Sequence, residues 1–317
     1  MSNNPVSSVA VIIPSYNMAG LVGRAIESAV LQIRQPDEII VVDDGSTDDT
    51  KEVLEKLKTD HPNLFVISQE NKGNAGAKNT GINNAKSEWV AFLDADDVWL
   101  PNRLSSQVEL LKIHPSLNWV AGAYLQVTYE KNGTAIVRGK SLVEQKIVNA
   151  GDSTHESLEL IAGPTSVWIG TVMARTSSIR ALDGFCEALL GCDDSDLWVR
   201  MAFDNEQIGF VCEPVARYTV AQHGSLTGMA ARTVSPSQFT HYERLSRLIS
   251  ATPDTRRKEL VARILNGKIE SSLRALLRTR SFPQVREFKL ELKNRGLPVP
   301  PFWILAKAFW PPWKRSR

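Results

Sequence analysis

The chain has 317 residues, 43% of them hydrophobic and 23% charged, which suits a folded α/β core of about 200 to 250 residues with an appendage and excludes a disordered chain. No apolar run approaches the roughly 18 to 20 residues of a bilayer-spanning helix, and the N-terminus lacks a basic region followed by a cleavable apolar core, so a soluble, cytoplasmic protein is expected. The net charge of +2 hides an asymmetry: residues 251–317 carry 16 Lys and Arg against 5 Asp and Glu, leaving 21 against 30 before them, a balance suited to cations in front and an anionic surface behind.

The predicted elements open with residues 9–13, a nearly continuous β-branched run that reads as a strand buried on both faces of a parallel sheet. A helix is expected over residues 20–32, where Leu21, Ala25, Ile26, Ala29 and Val30 recur at helical spacing. Residues 38–42 form the second predicted strand, and Ser46 to Asp49 offer a capping box to a helix bearing Val53, Leu54 and Leu57. Residues 64–67 and 89–93 are the third and fourth strands. Pro101 suits the first turn of a helix whose Leu104, Val108 and Leu111 form one stripe. Repeated βαβ units predict a doubly wound α/β sheet. Asn132 and Gly133, between apolar runs at 119–129 and 135–137, predict a hairpin, so antiparallel strands should follow the parallel half. From residue 235 the pattern turns helical, with Leu260, Val261, Ile264, Leu265, Ile269, Leu273, Leu276 and Leu277 at spacings of three and four. The expected division is an α/β domain over residues 1–230 and a helical C-terminal extension over 231–317.

Ligands of such sheets bind beyond the carboxyl ends of the strands, and the polar residues fall there. Pro14, Tyr16 and Asn17 follow the first strand, Asp43 and Asp44 the second, and Asp94, Asp96 and Asp97 the fourth. Strand alternation carried to the tip would set Asp94 and Asp96 on one face and Ala95 on the other. Neighbouring carboxylates repel one another, and buried ones take up protons unless a cation holds them ionised. A few oxygen ligands at a strand end fit Mg²⁺ or Mn²⁺ that keeps waters and substrate phosphates. The plainer alternative is a solvated acidic turn capping the next helix. Asp43 is expected to be structural, fixing the turn at Gly45 through backbone amides.

Four stretches stand in order: AVIIPSYN (10–17), VVDDGSTDDT (41–50), NKGNAGAKNTGI (71–82) and FLDADDVWLPNRL (92–104). Over about residues 7 to 225 the chain resembles the family 2 glycosyltransferases, inverting enzymes that use nucleotide sugars. The resemblance implies the GT-A fold, a Rossmann-like mixed sheet flanked by helices, for residues 1–230. It places Tyr16 against the nucleotide base, with Pro14 and Asn17 beside it, and makes Asp44 the acceptor of a hydrogen bond from the base. Asp94 and Ala95 match positions near the ribose, and Asp96 matches the ligand of Mn²⁺ or Mg²⁺. Lys78 stands in the donor-binding motif where the family more often has Arg, exchanging a planar fork for a point charge. GFCEALLGCDDSDLWVRMA (184–202) resembles the second acidic motif, which makes Asp194 the general base, puts Asp193 in place of the usual Glu and leaves Asp196 to brace the helix. The alternative is that these acids only cap a helix beginning near Asp194. His223 matches a position that helps bind metal or diphosphate, and an imidazole ligand would tilt the preference to Mn²⁺.

These parts imply a metal-dependent transferase of the hexosyltransferase type. The ion on Asp96 would neutralise the departing diphosphate while Asp194 takes a proton from the acceptor, and direct displacement would invert the anomeric centre. The implied donor is a nucleotide-diphosphate sugar, a UDP-sugar foremost, and the implied acceptor a hydroxyl of a glycan or lipid-linked glycan in cell-surface polysaccharide or glycoconjugate synthesis. The Gln-x-x-Arg-Trp signature of processive members is absent, so one sugar per encounter is expected. Cys186, Cys192 and Cys212 cannot complete a disulfide framework and no CxxC occurs, which favours a reducing compartment. The tail LPVPPFWILAKAFWPPWKRSR (297–317) sets Phe302, Trp303, Phe309, Trp310 and Trp313 among prolines and basic residues. It suits an anionic membrane surface, here the inner face, or packing on protein, including a second copy in a homo-oligomer. No nucleic-acid module accompanies the basic residues, so no nucleic-acid partner is expected.

Two rivals belong to other classes. Asp94 to Val98 satisfies the Asp-x-Asp-x-Val nucleophile pattern of haloacid-dehalogenase-like phosphatases, but that reading leaves Tyr16, Asp44 and the Lys78 stretch without a role. A non-catalytic nucleotide-sugar binder would keep its function with Asp194→Asn. A nucleotidyltransferase would open with a Gly-rich loop where Pro14 to Asn17 stand, and neither GxGxxG nor GxxxxGK[ST] occurs.

Overall fold

The computed structural model describes residues 6–130, 133–165, 167–220, 235–278 and 282–301. Two compact units emerge, Met1–Glu187 with Asp193–Val220 and Ala188–Cys192 with Ala221–Arg317.

The first unit is built on parallel strands β1 (Val9–Ser15), β2 (Glu38–Asp43), β3 (Leu64–Ser68) and β4 (Trp89–Phe92), in the spatial order β3-β2-β1-β4. Every residue of β1 and β4 is buried, because strands covered on both faces need apolar side chains in both directions. Helices α1 (Val22–Val30) and α2 (Thr50–Asp60) follow the expected stripes. The capping box before α2 does not form: its N-cap, Asp49, makes no side-chain bond, while the Asp48 carboxylate instead accepts the Ala19 and Thr50 N–H groups and staples the loops after β1 and β2. Helix α3 (Gly73–Asn84) lies on β1 so closely that a Cβ at Gly81 would come within 2.4 Å of Ile12 Cγ2. Past the two-residue strand β5 (Val98–Trp99), α4 (Arg103–Ile113) begins two residues later than Pro101 suggested, since Arg103 N–H first closes a turn onto Leu100 O at 3.1 Å.

The sheet then becomes mixed. Strand β6 (Trp119–Tyr129) pairs antiparallel with β7 (Ala135–Lys140), with Tyr129 opposite Ala135, as the hairpin signal predicts. Short helices α5 (Gln145–Ala150) and α6 (Ser157–Ala162), with β8 (Ser153–Glu156) between them, lead to β9 (Met173–Arg175), which runs antiparallel between β4 and β6. After α7 (Thr176–Ala181) and α8 (Asp193–Asp204), the long β10 (Gln207–Thr219) lies parallel to β6 and antiparallel to β5 and β8. Ten strands therefore share one mixed sheet among the described residues.

The second unit is helical, as expected, with helices at Pro236–Ala251, Thr255–Arg278 and Phe282–Asn294. The predicted apolar positions from Leu260 to Leu277 are buried on the middle helix. Among the described residues no helix is long and apolar enough to cross a membrane. The tail aromatics from Phe302 to Trp313 lie outside the described residues.

Candidate active site

Strand β4 ends at Phe92, but alternation carries on a little further. Leu93 N–H still reaches Ile12 O at 3.1 Å, and Leu93 and Ala95 both pack into the core that holds Trp89 and Ala91. Asp94 and Asp96 are therefore half-buried on the other side, as the period-two reading expects. Because the Ala95 methyl is buried in the core, Ala95 can offer a ligand its backbone only. Asp97 N–H closes the turn on Asp94 O at 3.0 Å.

Three elements hold this acid turn from outside it. From β10, Thr219 N–H donates to the buried Asp97 carboxylate at 2.6 Å, and the Thr219 hydroxyl donates to Asp96 O at 2.5 Å. From α1, Arg24 Nη2 reaches Asp96 O at 3.3 Å while its guanidinium rests 3.8 Å from the centre of the Tyr129 ring. From α4, the fully buried Arg103 donates to Phe92 O (3.1 Å) and Val172 O (2.9 Å) and stacks 3.7 Å from the centre of the Trp99 ring. Carbonyl oxygens and an aromatic face are its partners, so burial pushes its pKa well below the usual guanidinium range.

Burial outweighs the positive charge near the carboxylates of the turn. Burial lifts Asp94 to about 7, with Lys78 opposing the rise and Asp96, Asp193 and Asp194 adding to it. Burial likewise raises Asp96, against its own N–H and the Arg24 charge, and raises Asp97 well above the carboxylate range with help from Asp96 and Asp94. Half-buried, oxygen-only donors whose ionisation is resisted are chemically suited to a hard divalent cation. Among the described residues no three His, Cys, Asp or Glu side chains converge as a ligand set of their own, so further ligands would come from water and substrate phosphates. His223 lies outside the described residues.

The second acidic motif opens α8. Asp193 and Lys78 form a buried ion pair at 2.6 Å, with Lys78 only 2% exposed. Asp194 is half-buried and accepts Ser195 N–H at 2.6 Å. Asp196 braces the helix as expected, binding Arg200 at 2.8 Å while Arg200 also holds the carbonyls of Leu182 and Gly184. Phe92, Phe185 and Trp198 pack at 5.3 to 6.3 Å between ring centres, tying the end of β4 to the loop before α8 and to α8 itself. That packing brings the two acidic motifs into one electrostatic cluster.

At the edge of β1, Tyr16 is 45% exposed, whereas Pro14 is buried inside the strand opposite Val42. Asn17 takes a left-handed backbone (φ 55°), and its side chain accepts Thr47 N–H at 2.7 Å, locking the loop after β1 to the loop after β2. Buried Asp44 uses one oxygen for Gln69 Nε2 (2.7 Å) and Lys72 N–H (2.8 Å). Asp43 accepts Ser46 N–H at 3.1 Å across Gly45, whose φ of 77° needs glycine, and so has the structural role expected of it. Sequence reasoning missed Arg24, Gln69, Arg103 and Thr219. Only Arg103 left a signal, as a charged residue bordering an apolar helical stripe.

Fold and site together define a GT-A-type protein: a mixed sheet with one acidic turn at the tip of β4 and a second acidic pair at the start of α8. The chain belongs to glycosyltransferase family 2. The model of that family, described as Glycosyl transferase family 2, matches residues 10–141. WfgD of Escherichia coli, a UDP-Glc:alpha-D-GlcNAc-diphosphoundecaprenol beta-1,3-glucosyltransferase, is 30% identical over 219 residues, covering 68% of this chain and 78% of that protein. An uncharacterized glycosyltransferase of Nostoc is 45% identical over 105 residues, and the match covers only 33% of that protein's length. In fold, the chain is similar to the mannosyltransferase PcManGT of Pyrobaculum calidifontis, solved with GDP-Man and Mn²⁺. The TM-score is 0.61 at 19% identity, covering 98% of this chain and 84% of that one.

Proposed function

We propose that the protein is an inverting, non-processive, metal-dependent glycosyltransferase that moves a hexose from a nucleotide-diphosphate sugar to a hydroxyl of a lipid-linked glycan, in cell-surface polysaccharide synthesis. The observation that carries this reading is the packing of Phe92 on Phe185 and Trp198, with the buried Lys78–Asp193 ion pair beside it, which joins the acidic strand tip to the turn that bears the candidate base. The exposed Tyr16 ring offers a stacking face to the base of the nucleotide, and the Asp44 oxygen that makes no hydrogen bond among the described residues would accept a base N–H. Asp96 would hold Mn²⁺ or Mg²⁺, with His223 as a further ligand and Asp94 beside the ribose. That ion supplies positive charge to the departing diphosphate. Asp194 accepts the acceptor's hydroxyl proton, and a half-buried carboxylate at the start of a helix stays reachable for that work. The catalytic domain is assigned to residues 1–230 and the helical extension to 231–317.

The relatives supply the substrate classes. WfgD's name carries a UDP-sugar donor and a diphosphoundecaprenol-linked acceptor, and PcManGT was solved with GDP-Man and Mn²⁺. A UDP-sugar is the leading donor here. A lipid-linked acceptor and the basic, aromatic residues of 297–317 support work at the inner face of the membrane, with the protein peripheral to it.

The test is sugar transfer from UDP-glucose, UDP-GlcNAc and GDP-mannose to a GlcNAc-diphospholipid, with and without Mn²⁺. Asp194→Asn should lower kcat by about 10² to 10⁴-fold while leaving UDP affinity nearly unchanged. Full turnover by Asp194→Asn would overturn the reading. Phosphate release from a generic phosphomonoester, without nucleotide binding, would favour the phosphatase instead.

A further inference from the structure

Lys78 sits in α3 with almost no exposed surface, and its ammonium donates to Asp193 Oδ2 at 2.6 Å, 115 positions later in the chain. The same ammonium lies 4.6 Å from the centre of the Phe185 ring. Burial pulls its pKa down, but Asp193 most of all, with Asp94 and Asp194, outweighs burial and leaves it above the ordinary lysine value. Its direct partner is a carboxylate that is itself only 4% exposed.

The next residue strengthens the grip. Asn79 exchanges two hydrogen bonds with Phe185, donating Nδ2 to Phe185 O at 2.9 Å and accepting Phe185 N–H at 2.8 Å, and it also donates to Glu187 at 3.1 Å. Helix α3 therefore holds the loop before α8 through Asn79 and the first residue of α8 through Lys78. The helix is in turn seated on β1 by the close approach at Gly81. Asp194 follows Asp193 directly, so whatever fixes Asp193 fixes the direction in which the Asp194 carboxylate leaves the helix.

We propose that Lys78 is a positioning residue: its buried ion pair with Asp193 locks the first turn of α8 and so aims Asp194 at the acceptor hydroxyl, and it does not bind the donor diphosphate. The proposal rests on the role given to Asp194 above. A donor ligand would need its ammonium in the cleft, whereas this one is spent inside the protein. Misaiming a base by about 1 Å is enough to cost about 10²-fold in rate.

The experiment compares the parent with Lys78→Met, Asp193→Asn and the double variant, reading kcat for sugar transfer and the Kd for UDP in the presence of Mn²⁺ by calorimetry. Each single change should lower kcat by about 10²-fold, the double change should cost no more than the worse single, and Kd should stay within about 3-fold throughout, the pattern of residues acting as one unit. Lys78→Arg should restore most of the rate. Should Lys78→Met fail to fold with Asp193 left uncompensated, the double variant, which buries no charge there, carries the test with the same expected kcat loss and unchanged Kd. A Kd weakened about 10-fold or more in the variants lacking Lys78 but not in Asp193→Asn would overturn the proposal, as would losses that multiply in the double variant. Failure of the parent itself to transfer sugar would sink the earlier reading and this one together. A competent parent with either contrary variant pattern sinks this one alone.

Discussion

Replacing Asp94 by Asn should make the metal-free protein relatively more stable as the pH becomes neutral. Burial raises this carboxyl from 3.8 to about 7, with Lys78 opposing and Asp96, Asp193 and Asp194 adding. Between those two values the folded state keeps a proton that the unfolded chain has released. The stability contributed by this protonation is therefore complete below about pH 4 and is lost as the pH rises through about 7. A rise of about three pKa units corresponds to about 4 kcal/mol, and screening at a half-buried site should leave about 2 of it measurable. Urea denaturation in EDTA at about pH 5 and about pH 8 reads the effect. Because only about two thirds of the interval between the two pKa values lies between these pH values, the stability of Asp94→Asn relative to the parent should improve by about 1.3 kcal/mol from the lower to the higher pH. Adding Mn²⁺ and UDP should reverse the order at the higher pH, because the ligand stabilises the folded parent by mass action. A difference that stays constant between the two pH values would refute the claim that burial withholds this proton.

Three other changes test the framework of the site. Gly81→Ala places a methyl 2.4 Å from Ile12 Cγ2 in the fully buried core, so despite a helix-propensity gain of up to about 1 kcal/mol the urea midpoint should fall, with overpacking costing about 1 to 3 kcal/mol. Arg103→Lys gives up the fork that spans Phe92 O and Val172 O and the stack on Trp99, and should cost about 2 to 3 kcal/mol in thermal or urea unfolding. Thr219→Val removes the hydroxyl bond to Asp96 O but keeps the N–H bond to Asp97; calorimetry should show Mn²⁺-dependent UDP affinity reduced by about 3- to 10-fold.

The parallel half of the fold was legible because burial on both faces leaves a run such as residues 9–13 with no polar interruption, and because α1 carries a clean apolar stripe. Helix α3 was not, since Gly73, Gly76, Gly81 and its asparagines are poor helix formers. Its glycine at 81 serves the contact with β1 rather than the helix itself. Residues 141–183 also stayed obscure, because α5, α6, α7, β8 and β9 are only three to six residues long, shorter than the windows in which periodicity shows. In the site, the acids at the strand tip stood out through their conflict with burial. Their supports did not. Thr219 holds the turn from β10, the direct neighbour of β5, and Lys78 meets Asp193 across two helices, pairings that depend on tertiary register and leave no local pattern.

The bonds from Thr219 to the acid turn join positions 122 and 123 residues apart, and they come from the last strand of the sheet. Contacts of such long range carry a large loop-closure cost and form late. A chain emerging from the ribosome would therefore assemble β1 to β4, with Tyr16 at the end of β1, well before the acids gain their final support. On the proposed function, a nascent chain stopped short of β10 would carry the recognisable motifs while its acid turn still lacked the Thr219 support that a cation site there would need.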